Sequence, residues 1–463
     1  MPERPDEVYE FGEFRLEVGE RTLARRGGAR VAVPEKAFRT LVHLVRNGGA
    51  LVTRETILST IWPDALVEEA NIGKVIHILR AALGDRSDAV RYIETVPKHG
   101  YRFVAKVVGK DKGLETPGRS PAYDLYIHGK VKAGSENGED TAEAISLLER
   151  AVDRDPSFAP AYAQLARAYN TRSFKFASQA DGKRPRENAE VALAKALDLD
   201  SNLAEAHFAR GLILWTKAKG FPHAEAIRAF TRALELDSEA DETHHQLSMV
   251  YSHVGLMDEA RRHVARAIDL NPNNTMARFR VGVYAAWQCR FEEALDVLKT
   301  VPSEVSPLLV ERVRAEVYIQ LGRLDKARPI IDDYLARYPN DEGGSLTSVR
   351  ALLSAKRGDS HAARRDIARS IELGTGFGHF HHTAHNLAAV FAALQQPDDA
   401  VTWLEAAADD GFPCYPYFER DPNLDPLRNS PRFAELMSAL RRRWRQFRLG
   451  TSPARGRAEH RRG

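Results

Sequence analysis

From about residue 122 onward the chain repeats itself, and that constrains its fold more than any single motif. A turn marker falls at Pro156, Ser201, Ser238 and Pro272, in steps of 45, 37 and 34 residues. It recurs less cleanly at Pro302, Pro339 and Gly374, in steps of 30, 37 and 35. The stretches between are amphipathic and rich in alanine, as in VALAKALDLDSNLAEAHFARGLIL and HVARAIDLNPNNTMARFRVGVYAAW. A helix pair of this length cannot bury its apolar face alone, so neighbouring pairs must stack into a superhelix with a concave groove. Seven or eight pairs fit between about 122 and 411. Ala163, Ala206, Gly211, Ala233, Ala267 and Ala294 are small enough to let helices approach closely, which is a packing role and nothing more. The long first step predicts an insertion around Ser173–Arg186.

GLMDEA, GRLDKA and QPDDA each open the second helix of a pair. With the period near 34, they resemble the tetratricopeptide repeat. The resemblance implies a solenoid whose groove takes a protein or peptide partner, or which holds the chain in a homo-oligomer. Past the repeats, GFPCYPYFERDPNLDPLRNSPRFAELMSALRRRW resembles the C-terminal cap of multidomain bacterial repeat proteins. Its DPNLDPLR segment is expected to pack as a loop over the last pair, ahead of a helix from Pro431 to about Phe447.

The first hundred residues follow another pattern. VYEFGEF, RLEV, TLARR and ARVAV alternate in polarity and are broken by glycines, which predicts a small antiparallel sheet over 8–33. Pro34 suits a helix start, and Phe38, Leu41, Val42, Leu44 and Val45 form the buried stripe that follows. Thr53 to Ile61 reads as a second helix, stopped at Trp62-Pro63. A third runs through VEEANIGKVIHILRAALGD, with Ile72, Ile76, Leu79 and Leu83 on one face and Lys74, His77, Ile78 and Ala81 opposite. RYIETV and YRFV then flank PKHG as a hairpin with a basic tip.

Sheet, three helices and hairpin, in this order over about residues 8–106, resemble the winged-helix effector domain of OmpR/PhoB-type response regulators. The motifs that carry the likeness are VAVPEKAFRTLVHLV, LVTRETILSTIWP, NIGKVIHILRAALGD and IETVPKHGYRF. The resemblance implies that the third helix enters the major groove of double-stranded DNA and the wing the adjacent minor groove. Carried over by position, Asn71, Lys74, His77 and Ile78 face bases or backbone, Arg80 matches a helix arginine, and Thr95, Tyr101 and Arg102 match the wing. Ile78 and Pro97 stand where many relatives have arginine, which leaves Lys98 and His99 as the wing's cations. In the family the loop corresponding to 62–70 touches RNA polymerase. A receiver domain usually precedes such a module, and only seven residues precede the first strand here, so no phosphoacceptor is expected on that side.

Composition closes off other classes. Hydrophobic residues at 43% and charged residues at 28% describe a folded globular chain. The net charge of +3 divides into +8 from Arg441 onward and −5 before it, so the basic excess is a tail. That tail, with Trp444 and Phe447 among its arginines, reads as a solvated helix end or a nucleic-acid contact. Two distant cysteines, Cys289 and Cys414, make no disulfide framework, and Cys414 reads as a small buried hydrophobe. No secretory signal or membrane span is evident, which points to the cytoplasm. Walker, GxGxxG, nucleophile-elbow and CxxC motifs are absent, so an enzyme is not expected. His381 and His385 stand at i and i+4, a spacing that can serve a metal, but no acidic partner lies nearby in sequence; no metal or cofactor is expected.

The resulting expectation is a mainly α, multidomain chain: an N-terminal α+β winged helix-turn-helix (1–106), a linker (107–122), an α-helical tetratricopeptide solenoid (123–411), a cap and helix (412–449), and a basic disordered tail (450–463). Its expected function is transcriptional regulation by promoter binding. The alternatives are an interaction scaffold, or a regulatory subunit, in which the winged helix is a structural or protein-binding module.

Overall fold

The computed structural model describes residues 7–26, 28–61, 70–85, 92–96, 100–109, 121–134, 137–176, 182–272, 274–303 and 306–451. They pack as two units, divided between Ser120 and Pro121.

In the first unit the strands are β1 (Val8–Phe11), β2 (Phe14–Glu17), β3 (Thr22–Arg25) and β4 (Arg30–Val31). Then follow α1 (Glu35–Arg46), β5 (Leu51–Thr53), α2 (Arg54–Ile61), α3 (Ala70–Leu83), β6 (Ile93–Val96), β7 (Gly100–Phe103) and β8 (Val107–Gly109). One antiparallel sheet has the order β4-β3-β2-β1-β8 and the other β5-β7-β6. The linker expected over 107–122 is therefore shorter at both ends. Val107 pairs with Phe11 and Gly109 with Tyr9, and Pro121 already opens a helix. Pairing β8 onto β1 covers an edge that would otherwise present unmet backbone groups. β5 was not expected; three residues are too few to show a period of two.

Phe11, Phe14, Tyr92 and Phe103 form the aromatic centre of this unit, with ring centroids 4.9 to 6.4 Å apart. The α1 stripe Phe38, Leu41, Val42, Leu44 and Val45 is buried against it. Gly100 sits where β5 and β7 cross closely, and a Cβ there would run into the Val52 carbonyl oxygen. Only glycine fits that approach.

The second unit opens with eight helix pairs among its described residues. They are α4 (Pro121–Ala133) with α5 (Gly138–Arg154), α6 (Ala159–Thr171) with α7 (Lys183–Leu199), α8 (Ala204–Leu214) with α9 (His223–Leu236), and α10 (Asp241–His253) with α11 (Met257–Leu270). Then come α12 (Thr275–Trp287) with α13 (Phe291–Lys299), α14 (Pro307–Gln320) with α15 (Leu324–Arg337), α16 (Ser345–Lys356) with α17 (Ser360–Gly374), and α18 (Phe380–Ala393) with α19 (Pro397–Asp409). Of the insertion expected at Ser173–Arg186, residues up to Phe176 belong to a π-helical turn, Arg172–Phe176, and Lys183–Arg186 already belong to α7, while 177–181 lie outside the described residues. The small residues behave as the spacing predicted: Gly211 lies against Phe230, and Ala163, Ala206, Ala233, Ala267 and Ala294 are buried.

After α19 come α20 (Tyr415–Arg420), a 3-10 turn (Pro422–Leu427) and α21 (Pro431–Thr451). This segment does more than cover the last pair. The C-terminal ends of α8, α10, α12 and α14 converge on α18 and on residues 410–444. His223 Nε2 lies 3.0 Å from Gly411 O, Cys414 Sγ donates to Ser252 O at 3.4 Å, and Trp444 Nε1 donates to Gly255 O at 3.1 Å. Gln320 Nε2 reaches Asp421 Oδ1 at 2.8 Å, and Trp287 stacks on Tyr417 with centroids 5.8 Å apart. The chain itself thus occupies the surface these helix ends would offer a partner. Trp444 and Phe447 turn inward, onto Tyr415 and His223, rather than outward with the tail's arginines. Residues 450 and 451 end α21, and the remainder of the tail lies outside the described residues.

His385 also departs from its expected setting. It is buried, and its Nε2 lies 3.1 Å from Asp421 Oδ2, an acidic partner that is remote in sequence. Cys414 is fully buried, and burial pushes its thiol up to about 12, as its hydrophobic reading required. No helix among the described residues is long and apolar enough to cross a membrane.

Candidate nucleic-acid interface

α3 splits as its helical period dictates. Ile72, Ile76, Leu79 and Leu83 are at most 2% exposed and belong to the core of the unit. Gly73, Lys74, His77, Ile78 and Ala81 face solvent, Ile78 at 36%. A helix face that is narrow, partly basic and free of carboxylates can lie against phosphates without like-charge repulsion. Gly73 and Ala81 keep that face low.

The helix is fixed to the wing by two side chains at its C-terminal end. Arg80 Nη2 donates to Ile93 O and to Thr95 Oγ1, both at 2.8 Å. Gly84, at φ +68°, ends the helix, and the Asp85 amide closes back on Arg80 O at 2.8 Å. The Asp85 carboxylate then accepts from the Tyr92 amide at 3.1 Å and the Ile93 amide at 2.7 Å. A helix end and a strand start are so held in one rigid corner, which sets the angle between α3 and the hairpin.

The predicted residues therefore separate. Lys74, His77 and Ile78 share one open face. Arg80 and Thr95 bond to each other. Arg102 Nη1 pairs with Glu94 Oε2 at 2.8 Å, across the β6–β7 register. Asn71 lies in α3 with its side chain outside the described residues, as are Lys98, His99 and the 62–69 part of the loop tied to polymerase contact. Asp85 was not singled out from sequence. Its only signal was its place one residue after the glycine that ends the helix.

Arg80→Ala should loosen the wing. Removing a charged donor from two acceptors costs about 1–3 kcal/mol. Hydrogen exchange at the Ile93–Val96 amides should accelerate roughly tenfold, while the β1–β2 amides keep their rates. Equal rates throughout would mean the contact holds nothing.

Comparison with known proteins bears on both units. Residues 28–103 match the family described as "Transcriptional regulatory protein, C terminal", and residues 241–274 match a tetratricopeptide repeat. Over 100 residues the chain is 35% identical to the transcriptional regulator HilA of Salmonella typhimurium, covering 22% of this chain and 18% of that one. Over 99 residues it is 27% identical to the transcriptional activator CadC of Escherichia coli K12, covering 21% and 19%. The match thus spans about a fifth of the length of these curated relatives. Among solved structures, the Klebsiella pneumoniae RstA DNA-binding domain in complex with the RstA box aligns at 24% identity and TM-score 0.20, over 21% of this chain and 96% of that one. A tetratricopeptide repeat protein from Parabacteroides merdae aligns at 15% identity and TM-score 0.39, over 55% and 93%. The N-terminal unit is a winged helix of the OmpR/PhoB type, and tetratricopeptide repeats follow it.

Proposed function

We propose that this chain is a DNA-binding transcriptional regulator that uses α3 in the major groove and the β6–β7 wing in the minor groove. The observation that carries the reading is the open α3 face, Lys74, His77 and Ile78, on a unit whose residues 28–103 match a transcriptional regulatory domain. The named relatives are a transcriptional regulator and a transcriptional activator, which supports the same assignment. Lys74 supplies a phosphate contact. His77 sits beside it as a second polar contact, and Ile78 supplies an apolar contact of the kind that meets a thymine methyl. Asn71, Lys98, His99 and Arg102 complete the footprint, and Arg80, Thr95 and Asp85 position it. The chain works by binding rather than by catalysis, and in the cytoplasm. The 62–70 loop is its contact for RNA polymerase. The repeats serve a protein partner or a homo-oligomer through surfaces other than the helix ends already covered by residues 410–444.

Selection of genomic fragments by the purified chain tests this. Enrichment of a common sequence is the expected result. Lys74→Ala should weaken binding about equally on all bound sequences and reduce the slope of log K against log salt by roughly 0.9, one phosphate's worth. Ile78→Ala should instead relax preference at one or two base pairs, by about 1 kcal/mol. No enrichment, together with a salt slope untouched by Lys74→Ala, would exclude the reading.

A further inference from the structure

We propose that the second unit holds a borderline transition-metal ion of the zinc type, bound by His253, His381 and His382. His253 ends α10, while His381 and His382 open α18, and the packing of the repeats brings their rings together. One ring nitrogen from each lies within 4.8 Å of the others. The ring centroids of His253 stand 5.4 Å from His381 and 5.2 Å from His382.

The hydrogen bonds around the rings prepare two of them as ligands. His253 Nδ1 donates to Met249 O at 2.8 Å, and His381 Nδ1 donates to Asp410 O at 2.7 Å. Each bond fixes the proton on Nδ1 and leaves the Nε2 lone pair pointing away. Metal-bound histidines are oriented in this way, with the second ring nitrogen donating to a carbonyl or carboxylate. Asp410 Oδ2 lies 3.9 Å from His381 Nδ1, so a carboxylate stands behind the ligand.

Both Nε2 atoms are buried and find no hydrogen-bond partner among the described residues. His253 is 3% exposed and His381 0%. An unmet acceptor in such a place bears the full desolvation cost of its lone pair, and a cation on that lone pair removes it. Burial holds all three imidazoles far below their usual range, so they are neutral and able to ligate at pH 7.

The donor set selects the ion. Three imidazoles with no thiolate suit zinc, cobalt or nickel rather than calcium or magnesium, which take oxygen. In a tetrahedral set with bonds of about 2.0–2.1 Å, donor nitrogens stand about 3.3 Å apart. Nitrogens at the 4.8 Å limit must therefore close by about 1.5 Å. His382 is the most exposed of the three rings. Trp287 and Phe412 wall the site, with centroids 5.7 and 5.0 Å from His382. His385 is not a member, since it faces Asp421.

The test uses the full chain, stripped with chelator and titrated with zinc by calorimetry and with cobalt by visible absorption. One ion per chain is expected, with a tetrahedral cobalt spectrum and a zinc-dependent rise in the melting temperature. His382→Ala, at the half-buried position, should weaken zinc by more than about 100-fold while far-ultraviolet dichroism is unchanged. His253→Gln should do the same, and His361→Ala, in the exposed first turn of α17, should change nothing. Absence of uptake by the wild-type chain, or uptake that survives both His382→Ala and His253→Gln, would overturn the proposal.

Discussion

Lowering the pH from 7 to 5 should cost the repeat unit about 4 kcal/mol through His223 and His245 alone. Both are buried, at 2% and 8% exposure. Burial is the main cause that brings His223 down to about 4, against a hydrogen bond to Gly411 that opposes it, and brings His245 down to about 3 with help from Arg280. An unfolded histidine titrates near 6.5, so below that pH the unfolded chain takes protons that the folded chain refuses. Stability is complete above about 6.5, falls by about 1.4 kcal/mol per pH unit for each histidine as pH drops, and levels off only near their folded values. At pH 5 each has lost about 2 kcal/mol. Denaturant unfolding followed by tryptophan fluorescence measures this, since Trp215, Trp287, Trp403 and Trp444 all lie in the repeat unit. His245→Leu removes one share, and His245 Nε2 has no hydrogen bond to lose. Its pH dependence between 7 and 5 should be shallower than the wild type's by about 2 kcal/mol. Parallel profiles would show that His245 titrates normally in the fold.

Asp421→Ala should undock the C-terminal segment at a cost of about 3–5 kcal/mol, the usual effect of breaking a buried charged network from one side. Asp421 is 0% exposed. Burial alone would raise its pKa, but the His385 side chain, the Asn423 amide and Gln320 together hold it below the ordinary carboxylate range. It caps its own 3-10 turn through Asn423 N at 2.9 Å, receives Gln320 from α14 at 2.8 Å, and meets His385 of α18 at 3.1 Å. Three elements distant in sequence therefore meet at one carboxylate. Limited proteolysis should cut Asp421→Ala between 410 and 431 at least tenfold faster than wild type. Asp421→Asn, which keeps one acceptor oxygen, should fall between them. Cleavage at the wild-type rate would mean that the aromatic packing of Phe412, Tyr417 and Phe418 holds the segment without the carboxylate.

How much of this was legible in sequence depended on the range of the interaction. The face of α3 was legible because the 3.6-residue period is local: Ile72, Ile76, Leu79 and Leu83 went inside, and Lys74, His77 and Ile78 outside, as their spacing required. The repeat pairs were legible for the same reason, down to the glycine and alanine contacts. β5 and β8 were not, because strands of three residues carry too little alternation and exist only through their partners β7 and β1. The double role at the end of α3 was half legible. Arg80 stood out as a basic residue, but its bond to Thr95 and the clasp of Asp85 on the wing depend on how the hairpin returns.

Sequence alone determined the order of the modules, the helix period, and which face of each helix is apolar, since each of these is set by neighbours within a few residues. Only the tertiary structure decided where the superhelix meets itself. Stacked helix pairs accumulate a small rotation at each step. That sum, and no local motif, brings His253 to His381 and His382, Asp421 to His385, and Trp444 to Gly255. A histidine in a sequence shows its capacity to bind a metal, but its partners are set by the curvature of the whole stack.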